Sequence, residues 1–451
     1  MAHGSREGTF AVADEYASAV RTLLVAALLP MTTCLAESLP SGFPVRRGPL
    51  TLAHAADLAR ADLPASEVDW LCRFELVITN GYDKPAPAVA RKLRESGTKL
   101  FRYFWANGFT EGESAGTLPD GDWRKGVLRD HPQWLLNHQP LPGPPGTPPS
   151  YYFDLGDADL LHFLCGLLER LRAESDCAGT FSDYAGAYAL PAEAAAAWAA
   201  NHPDLLYDRA LGQLFTRLHE SAPGHLIFTN QACLGDPLLL PTVDYDLVES
   251  YGTSFLWGPV VKRGEEDFAL SFLRPWDGPA GIKAMHGGLV EKLKVARPRG
   301  KLLCLDYMRP ALVRQGDTWR ETVDEQAVYY SYVAAALWGL ESHCSGWYGR
   351  EYRGPLYFAD LGKPLGDGPT ELAGAVVREY ERGFVALLRE PKAAEVAWQL
   401  RGTNCARLQD VSSGESVPLQ GGGVTLRLSP TAEPVSNQLR PTGRVYLKLS
   451  N

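Results

Sequence analysis

The chain has 451 residues, 45% of them apolar and 22% charged, so it can build a large buried core and is not a disordered protein. Its 53 acidic residues outnumber 44 basic ones, and the net charge of −9 excludes a general nucleic-acid binder, because neutralising phosphates requires a basic surface. At roughly 150 residues per domain, the length predicts one large domain and a smaller one.

Residues 21–36 are typical of a secretory signal peptide. Arg21 precedes an apolar run that ends in the small-x-small sequence Cys34-Leu35-Ala36. The run is too short to span a bilayer, so no stable membrane insertion is expected. Residues 1–19 are unusually polar for this position, and a true start near Val20 would explain them. We therefore expect residues 1–36 to be a signal peptide; a short amphipathic helix and a lipoprotein signal ending at Cys34 remain alternatives.

Short apolar runs alternate with helical patterns along the middle of the chain. In chain order, strands are predicted at residues 77–79, 99–105, 151–154, 179–183, 225–230, 246–250, 302–307 and 342–348. Helices are predicted at residues 87–96, 158–174, 191–200, 203–221, 280–297, 323–340 and 371–388. Residues 106–150 form a long segment rich in Gly and Pro with one short predicted helix at 131–137, and a loop of that length is usually functional.

Eight strands alternating with helices predict an α/β fold, namely a (β/α)8 TIM barrel, over residues 37–390. From about residue 392 the pattern changes to short alternating segments separated by Gly, Ser and Pro. These segments predict a small antiparallel, β-sandwich-like domain at residues 391–451.

Metal-binding and other catalytic motifs are weak in this sequence. The eight cysteines include no CxxC spacing and the ten histidines show no ligand spacing, so we expect no metal and no cofactor, although carboxylates from separate strands could hold a cation. Cys304 and Cys344 lie in strand-like runs and are expected to be core residues. Residues 112–116 match the GxSxG nucleophile elbow of α/β-hydrolases, but no helix follows, which disfavours an esterase.

Two carboxylates end predicted strands. The active site of such a barrel lies at the carboxyl ends of its strands, where a polar residue after an apolar run points into the mouth. Asp183 ends the fourth predicted strand and Glu249 lies at the end of the sixth. Hydrolysis of a glycosidic bond needs two such groups, one to donate a proton and one to attack C1 or activate water. The structural alternatives are a helix cap for Asp183 and an ion pair with an arginine for Glu249.

Other polar and aromatic residues near strand ends are predicted to bind a sugar. Asn230 could donate to a hydroxyl or to a catalytic carboxylate, with a turn residue as the alternative, and Asp154 could instead cap a helix. Aromatic rings offer flat faces to sugar C–H groups, although each is individually more often a core residue, and the chain has 11 Trp and 19 Tyr. The predicted binding residues are Asn230, Asp154, Asp306, Tyr307, Tyr103, Trp105, Tyr184, Tyr251, Trp347 and Asn80.

The runs GTFSDY, HLIFTN, YDLVESYG and LLCLDYM resemble the bacterial hypothetical glycosyl hydrolase families with a TIM barrel. The chain is also similar in plan to the endo-α-1,4-polygalactosaminidase group and related exopolysaccharide hydrolases. The resemblance covers roughly residues 70–390 and is loose outside the strand ends. It implies that Asp183 and Glu249 are the catalytic pair, that Asn230 assists them, and that the mechanism is retaining. The segment 106–150 and the C-terminal β domain depart from the family pattern, which leaves the sugar open.

These observations predict a secreted or envelope-associated glycoside hydrolase that acts as a monomer on a polysaccharide or oligosaccharide. Asp183 would be the nucleophile or electrostatic stabiliser and Glu249 the general acid/base. An amino-sugar exopolysaccharide is favoured only by the resemblance. Two alternatives stay open: a carbohydrate-binding barrel without catalysis, and a structural envelope lipoprotein anchored through Cys34.

Overall fold

The computed structural model describes residues 39–110, 122–142, 148–254, 258, 260–263, 266–315, 318–346, 351–401, 405–433 and 435–450. The predicted signal peptide, the GxSxG motif and Trp347 lie outside the described residues. Within these ranges, no helix combines the length and the apolar character that crossing a bilayer requires.

Eight parallel strands form one sheet whose spatial order follows the chain. They are β1 (Gly48–His54), β2 (Phe74–Asn80), β3 (Lys99–Phe104), β4 (Gly179–Ser182), β5 (Leu226–Asn230), β6 (Tyr245–Glu249), β7 (Lys301–Met308) and β8 (Glu341–Gly346). The sheet curls until β8 contacts β1, where the Thr51 hydroxyl and His343 Nε2 are 3.3 Å apart. The predicted (β/α)8 barrel is confirmed.

Two strand predictions are wrong, and the two errors cancel. The sequence does not predict β1, and the strand predicted at residues 151–154 does not belong to the barrel. Ser150–Tyr152 instead pairs antiparallel with Gly108–Thr110 in the segment between β3 and β4. Aromatic residues favour any strand, so strand propensity alone cannot separate this short buried pair from a barrel strand. Asp183 and Glu249 therefore still follow the fourth strand and end the sixth.

Helices cover the outside of the barrel. They are α1 (Ala55–Leu58), α2 (Ala65–Leu71), α3 (Pro87–Glu95), α4 (Trp123–Asp130), α5 (Ala158–Glu174), α6 (Ala192–Asn201), α7 (Tyr207–Ser221), α8 (Ile282–Val295) and α9 (Glu325–Ala336). The helix predicted at residues 131–137 is only a 3-10 turn, Pro132–Trp134. α9 is almost wholly buried because it lies between β7 and β8 on one side and the C-terminal sheet on the other.

Alternate residues of the strands face two different apolar layers. The inner layer fills the barrel with residues such as Leu50, Phe101 and Phe228. The outer layer packs strands against helices and includes Cys304 and Cys344, which are buried core residues as predicted. The cysteines that the structure describes are all free thiols.

The C-terminal region is antiparallel, as predicted. Its strands are β9 (Thr370–Leu372), β10 (Ala375–Glu379), β11 (Gly383–Leu388), β12 (Ala394–Gln399), β13 (Arg407–Asp410), β14 (Ser416–Pro418), β15 (Gly423–Leu428), β16 (Thr431–Ala432), β17 (Leu439–Arg440) and β18 (Gly443–Leu449). Six of them form one sheet in the order β9-β10-β11-β18-β13-β14. The helix predicted at residues 371–388 is wrong, because this segment contains the strands β10 and β11. Both strands are buried on both faces, so they lack the alternation of apolar and polar residues that identifies a strand in the sequence.

Candidate active site

Asn230 connects the two candidate carboxylates at the mouth of the barrel. Its Nδ2 donates to Asp183 Oδ1 at 2.8 Å and to Glu249 Oε2 at 2.6 Å. Since both bonds start at one nitrogen, 2.8 Å and 2.6 Å together limit the distance between the two oxygens to at most 5.4 Å. The structure thus brings together the three residues that end or follow β4, β5 and β6.

Further donors fix the orientation of both carboxyl groups. The Tyr103 hydroxyl donates to Asp183 Oδ2 at 3.1 Å, and the Tyr184 backbone N–H donates to Asp183 Oδ1 at 2.9 Å. The Tyr307 hydroxyl donates to Glu249 Oε1 at 2.6 Å. Each of the four carboxyl oxygens therefore accepts at least one hydrogen bond. Tyr103 and Tyr307, predicted to bind substrate, position the carboxylates in this structure.

The environment of the pair favours retention of a proton. Burial and the neighbouring Glu249 carboxylate raise the pKa of Asp183 to about 6, against the opposing effect of its hydrogen-bond donors. Burial and Asp183 also raise the pKa of the Tyr103 hydroxyl, and burial and Glu249 raise the pKa of the Tyr307 hydroxyl. Both tyrosines stay neutral donors, and the pair can present one proton donor and one anion at a single site.

The residues directly after Asp183, Asn230 and Glu249 in the chain all adopt a left-handed backbone conformation. The φ angles are +49° at Tyr184, +63° at Gln231 and +58° at Ser250. Non-glycine residues rarely adopt this region, and such strain concentrates at functional sites. The chain turns sharply after each of these three strands, and no glycine in the sequence indicates it.

A buried carboxylate on β6 holds the turn after β5. Asp246 accepts hydrogen bonds from the backbone N–H groups of Ala232 at 3.0 Å and Cys233 at 2.9 Å, and from the Thr229 hydroxyl at 2.7 Å. The strand next to Asn230 thus fixes the turn that follows it. Asp246 was not among the residues predicted from the sequence.

Asp306, predicted to bind substrate, has the corresponding role one strand further on, where it holds the turn that follows β6. It is fully buried, and its Oδ1 accepts from the backbone N–H groups of Gly252 at 2.8 Å and Thr253 at 3.0 Å. Its Oδ2 accepts from the Ser331 hydroxyl of α9. With its oxygens committed to the turn after Glu249, Asp306 positions that turn and does not reach the mouth.

Asp154, predicted to bind substrate, makes its hydrogen bonds in this structure to residues of the chain itself. Its Oδ1 is 2.5 Å from His202 Nε2 and accepts from the Gly156 N–H at 3.2 Å, while Oδ2 accepts from Asn201 Nδ2 at 3.1 Å. These contacts anchor the C-terminal end of α6 to the loop before α5.

The remaining predicted aromatic and amide residues differ in their positions. Tyr251 is fully buried and its hydroxyl lies 2.8 Å from His286 Nδ1 of α8, so it belongs to the core and not to a sugar platform. Trp105 is buried against Tyr152. Tyr184 is half-buried, and burial together with Asp183 and Glu249 raises its pKa, which places its hydroxyl in the field of the pair. Asn80 is exposed at the end of β2 and is not among the donors to the pair described above.

A cavity lies at the other end of the barrel. It has a volume of about 810 Å³ and is lined at the start of β7 and β8 by Lys301 and Glu341, and by Arg46. These charges already pair with each other: Arg46 binds Glu341, and Lys301 lies 3.0 Å from Glu341. The amino-terminal end of such a barrel serves stability, so we do not assign the active site there.

Within the described ranges, no group of three or more His, Cys, Asp or Glu side chains is arranged to hold a metal ion.

The fold and the site define a class: a (β/α)8 barrel with an Asp/Glu pair bridged by an amide at its mouth. Neither a protein-family model nor a curated protein sequence matches the chain. Among solved structures, the chain is similar to the glycoside hydrolase domain of PelA from Pseudomonas aeruginosa, at 15% identity and a TM-score of 0.42, over 68% of this chain and 97% of that one. It is also similar to an alpha-amylase from Malbranchea cinnamomea, at 11% identity and a TM-score of 0.48, over 89% and 96%.

Proposed function

We propose that this chain is a glycoside hydrolase that cleaves a polysaccharide with Asp183 and Glu249. The observation that carries the proposal is the shared Asn230 donor, which keeps an oxygen of one carboxyl within 5.4 Å of an oxygen of the other. Retaining glycosidases separate their carboxyl groups by about 5–5.5 Å and inverting ones by about 6.5–9.5 Å. The geometry supports the retaining route.

In the first step, Asp183 attacks C1 of the sugar while Glu249 protonates the leaving oxygen. The C1–O bond to the leaving group breaks as the bond from C1 to Asp183 forms. Water then attacks C1, Glu249 takes its proton, and the bond to Asp183 breaks. Asp183 accepts three hydrogen bonds against two for Glu249, which supports a fixed nucleophile and a less restrained acid/base.

The proposed substrate is a polymer of amino sugars, cleaved without a cofactor. The groups described above around the pair are acidic, amide or phenolic, and the whole chain carries a net charge of −9. Such a surface attracts a cationic, partly deacetylated polysaccharide. We also infer from residues 21–36 that the enzyme is exported, which mass determination of the mature N-terminus would test.

A glycan panel tests the proposed function. The full chain is incubated with polygalactosamine, chitosan, an α-glucan and a β-glucan, and new reducing ends are measured. We expect release from at least one amino-sugar polymer. Binding of a polymer without any release would instead support a carbohydrate-binding barrel, and neither binding nor release would contradict both interpretations.

The activity should fall as the pH drops below about 6. The proposed nucleophile Asp183 attacks C1 only as a carboxylate, and burial and the neighbouring Glu249 raise its pKa to about 6. Below that pH Asp183 becomes protonated, so kcat/KM should drop about tenfold per pH unit on the acidic limb. Circular dichroism at each pH controls for unfolding. A kcat/KM that stays constant from pH 7 down to pH 4 would contradict the role of Asp183 as the nucleophile.

A further inference from the structure

One exposed aromatic side chain lies beside the pair. The large apolar side chains that are exposed in the described part of the chain are aliphatic except for Tyr188, which is 41% exposed. Tyr188 lies on the 3-10 turn Ala187–Ala189, in the loop that follows β4. This loop starts at Asp183 and therefore lies at the mouth of the barrel.

The Tyr188 ring is held firmly although it is exposed. Its hydroxyl donates to the backbone carbonyl of Asn230 at 3.1 Å. One side of the ring lies against Gly186, where an added Cβ would be only 3.0 Å from ring atom Cδ1 and 3.1 Å from Cε1. A side chain at position 186 would therefore press on the ring, which would have to shift by a few tenths of an ångström.

The backbone under the ring is fixed as well. Asp208 of α7 accepts from the Ala187 N–H at 2.5 Å, and its other oxygen accepts from the Asp236 N–H at 2.7 Å. One buried carboxylate thus ties the loop after β4 to the loop after β5. The ring is anchored from below while part of its surface faces solvent.

The hydroxyl end of Tyr188 lies close to the catalytic carboxylates. Burial raises the pKa of this hydroxyl, and the negative charges of Asp183 and Glu249 raise it further. The hydrogen bond to the Asn230 carbonyl also places the Tyr188 hydroxyl near the pair, because the side chain of Asn230 donates to both Asp183 and Glu249.

We propose that Tyr188 is a substrate-binding residue whose exposed ring stacks on the C–H face of a pyranose next to the Asp183–Glu249 pair. This inference rests on the proposed function. A rigid aromatic surface binds such a face at a low entropic cost, because the ring is already fixed before the sugar arrives. Tyr188 would thus select pyranose rings with an uninterrupted apolar face.

Binding is measured separately from cleavage to test this inference. Oligosaccharides of the panel, each about seven sugars long, are titrated by calorimetry into the Asp183→Asn protein with and without changes at Tyr188. We expect Tyr188→Ala to weaken binding about tenfold, and Tyr188→Phe and Tyr188→Trp to change it less than threefold, because both keep a ring. Val295→Ala is the control, since Val295 is 64% exposed at the end of α8, which leads into β7 at the opposite end of the barrel.

The outcomes separate the two proposals. Unchanged binding by Tyr188→Ala, or an equal loss in Tyr188→Phe, would overturn stacking while leaving hydrolysis by the wild type intact. If binding depends on the ring but the wild type releases no reducing ends, the binding role of Tyr188 would be supported and the proposed hydrolysis contradicted. No binding of any oligosaccharide would overturn the role of Tyr188.

Discussion

Asp183→Asn and Glu249→Gln should each lower kcat by about three or more orders of magnitude, because each removes a group that forms or breaks a bond in the reaction. Both replacements keep the size of the side chain. The new amide oxygen can still accept from Asn230, and the Tyr103 or Tyr307 hydroxyl can rotate to accept from the new amide nitrogen. The melting temperature should therefore change little. The measurement is reducing-end release from the polymer that the wild type cleaves best.

Rescue by a small anion separates the two roles. Azide should restore turnover to Asp183→Ala, since it can take the place of a missing nucleophile at C1, and the product should be a glycosyl azide. Near wild-type kcat in Asp183→Asn would remove this residue from the mechanism, and the same result in Glu249→Gln would remove the glutamate.

Asp306→Ala should destabilise the protein by about 3 kcal/mol, because it leaves the buried N–H groups of Gly252 and Thr253 and the Ser331 hydroxyl without their acceptor. Denaturant unfolding followed by Trp fluorescence measures this loss. Asp306→Asn is the matched control, since its amide oxygen can still accept both backbone hydrogen bonds and Ser331 can rotate to accept from its amide nitrogen. We expect it to lose about 1 kcal/mol or less.

The same pair of variants distinguishes a structural Asp306 from a substrate ligand. If Asp306→Ala unfolded at the wild-type denaturant concentration but raised KM, the residue would contact substrate, contrary to the geometry described above. If it lost stability while KM at low temperature changed little, the role in the turn after β6 would be supported.

Much of the barrel could be predicted from the sequence because β4 to β8 are short apolar runs closed by turn residues. β1 could not, since Gly48–His54 follows a region without periodicity, and the aromatic run at residues 151–154 indicated a strand without showing its partner. The strands from Thr370 onward were hidden for another reason. Burial on both faces removes the period of two on which strand prediction depends.

The candidate pair could be predicted because the ends of parallel strands converge, which brings Asp183, Asn230 and Glu249 together. The orientation of Asp306 could also be predicted from its strand. Leu303, Leu305 and Tyr307 face the inside of the barrel, so alternation along β7 places Asp306 outside, and this signal was present in the sequence. The left-handed residues and Tyr188 could not be predicted, since they depend on turn geometry and on contacts between loops.

The configuration of the first product tests the central claim most directly. Proton NMR during hydrolysis of the best panel substrate shows the anomeric form of each new reducing end before it mutarotates. Our account predicts that the configuration of the cleaved bond is retained and that Asp183→Asn releases none. Inverted product, or equal release by wild type and Asp183→Asn, would contradict a covalent route through this aspartate.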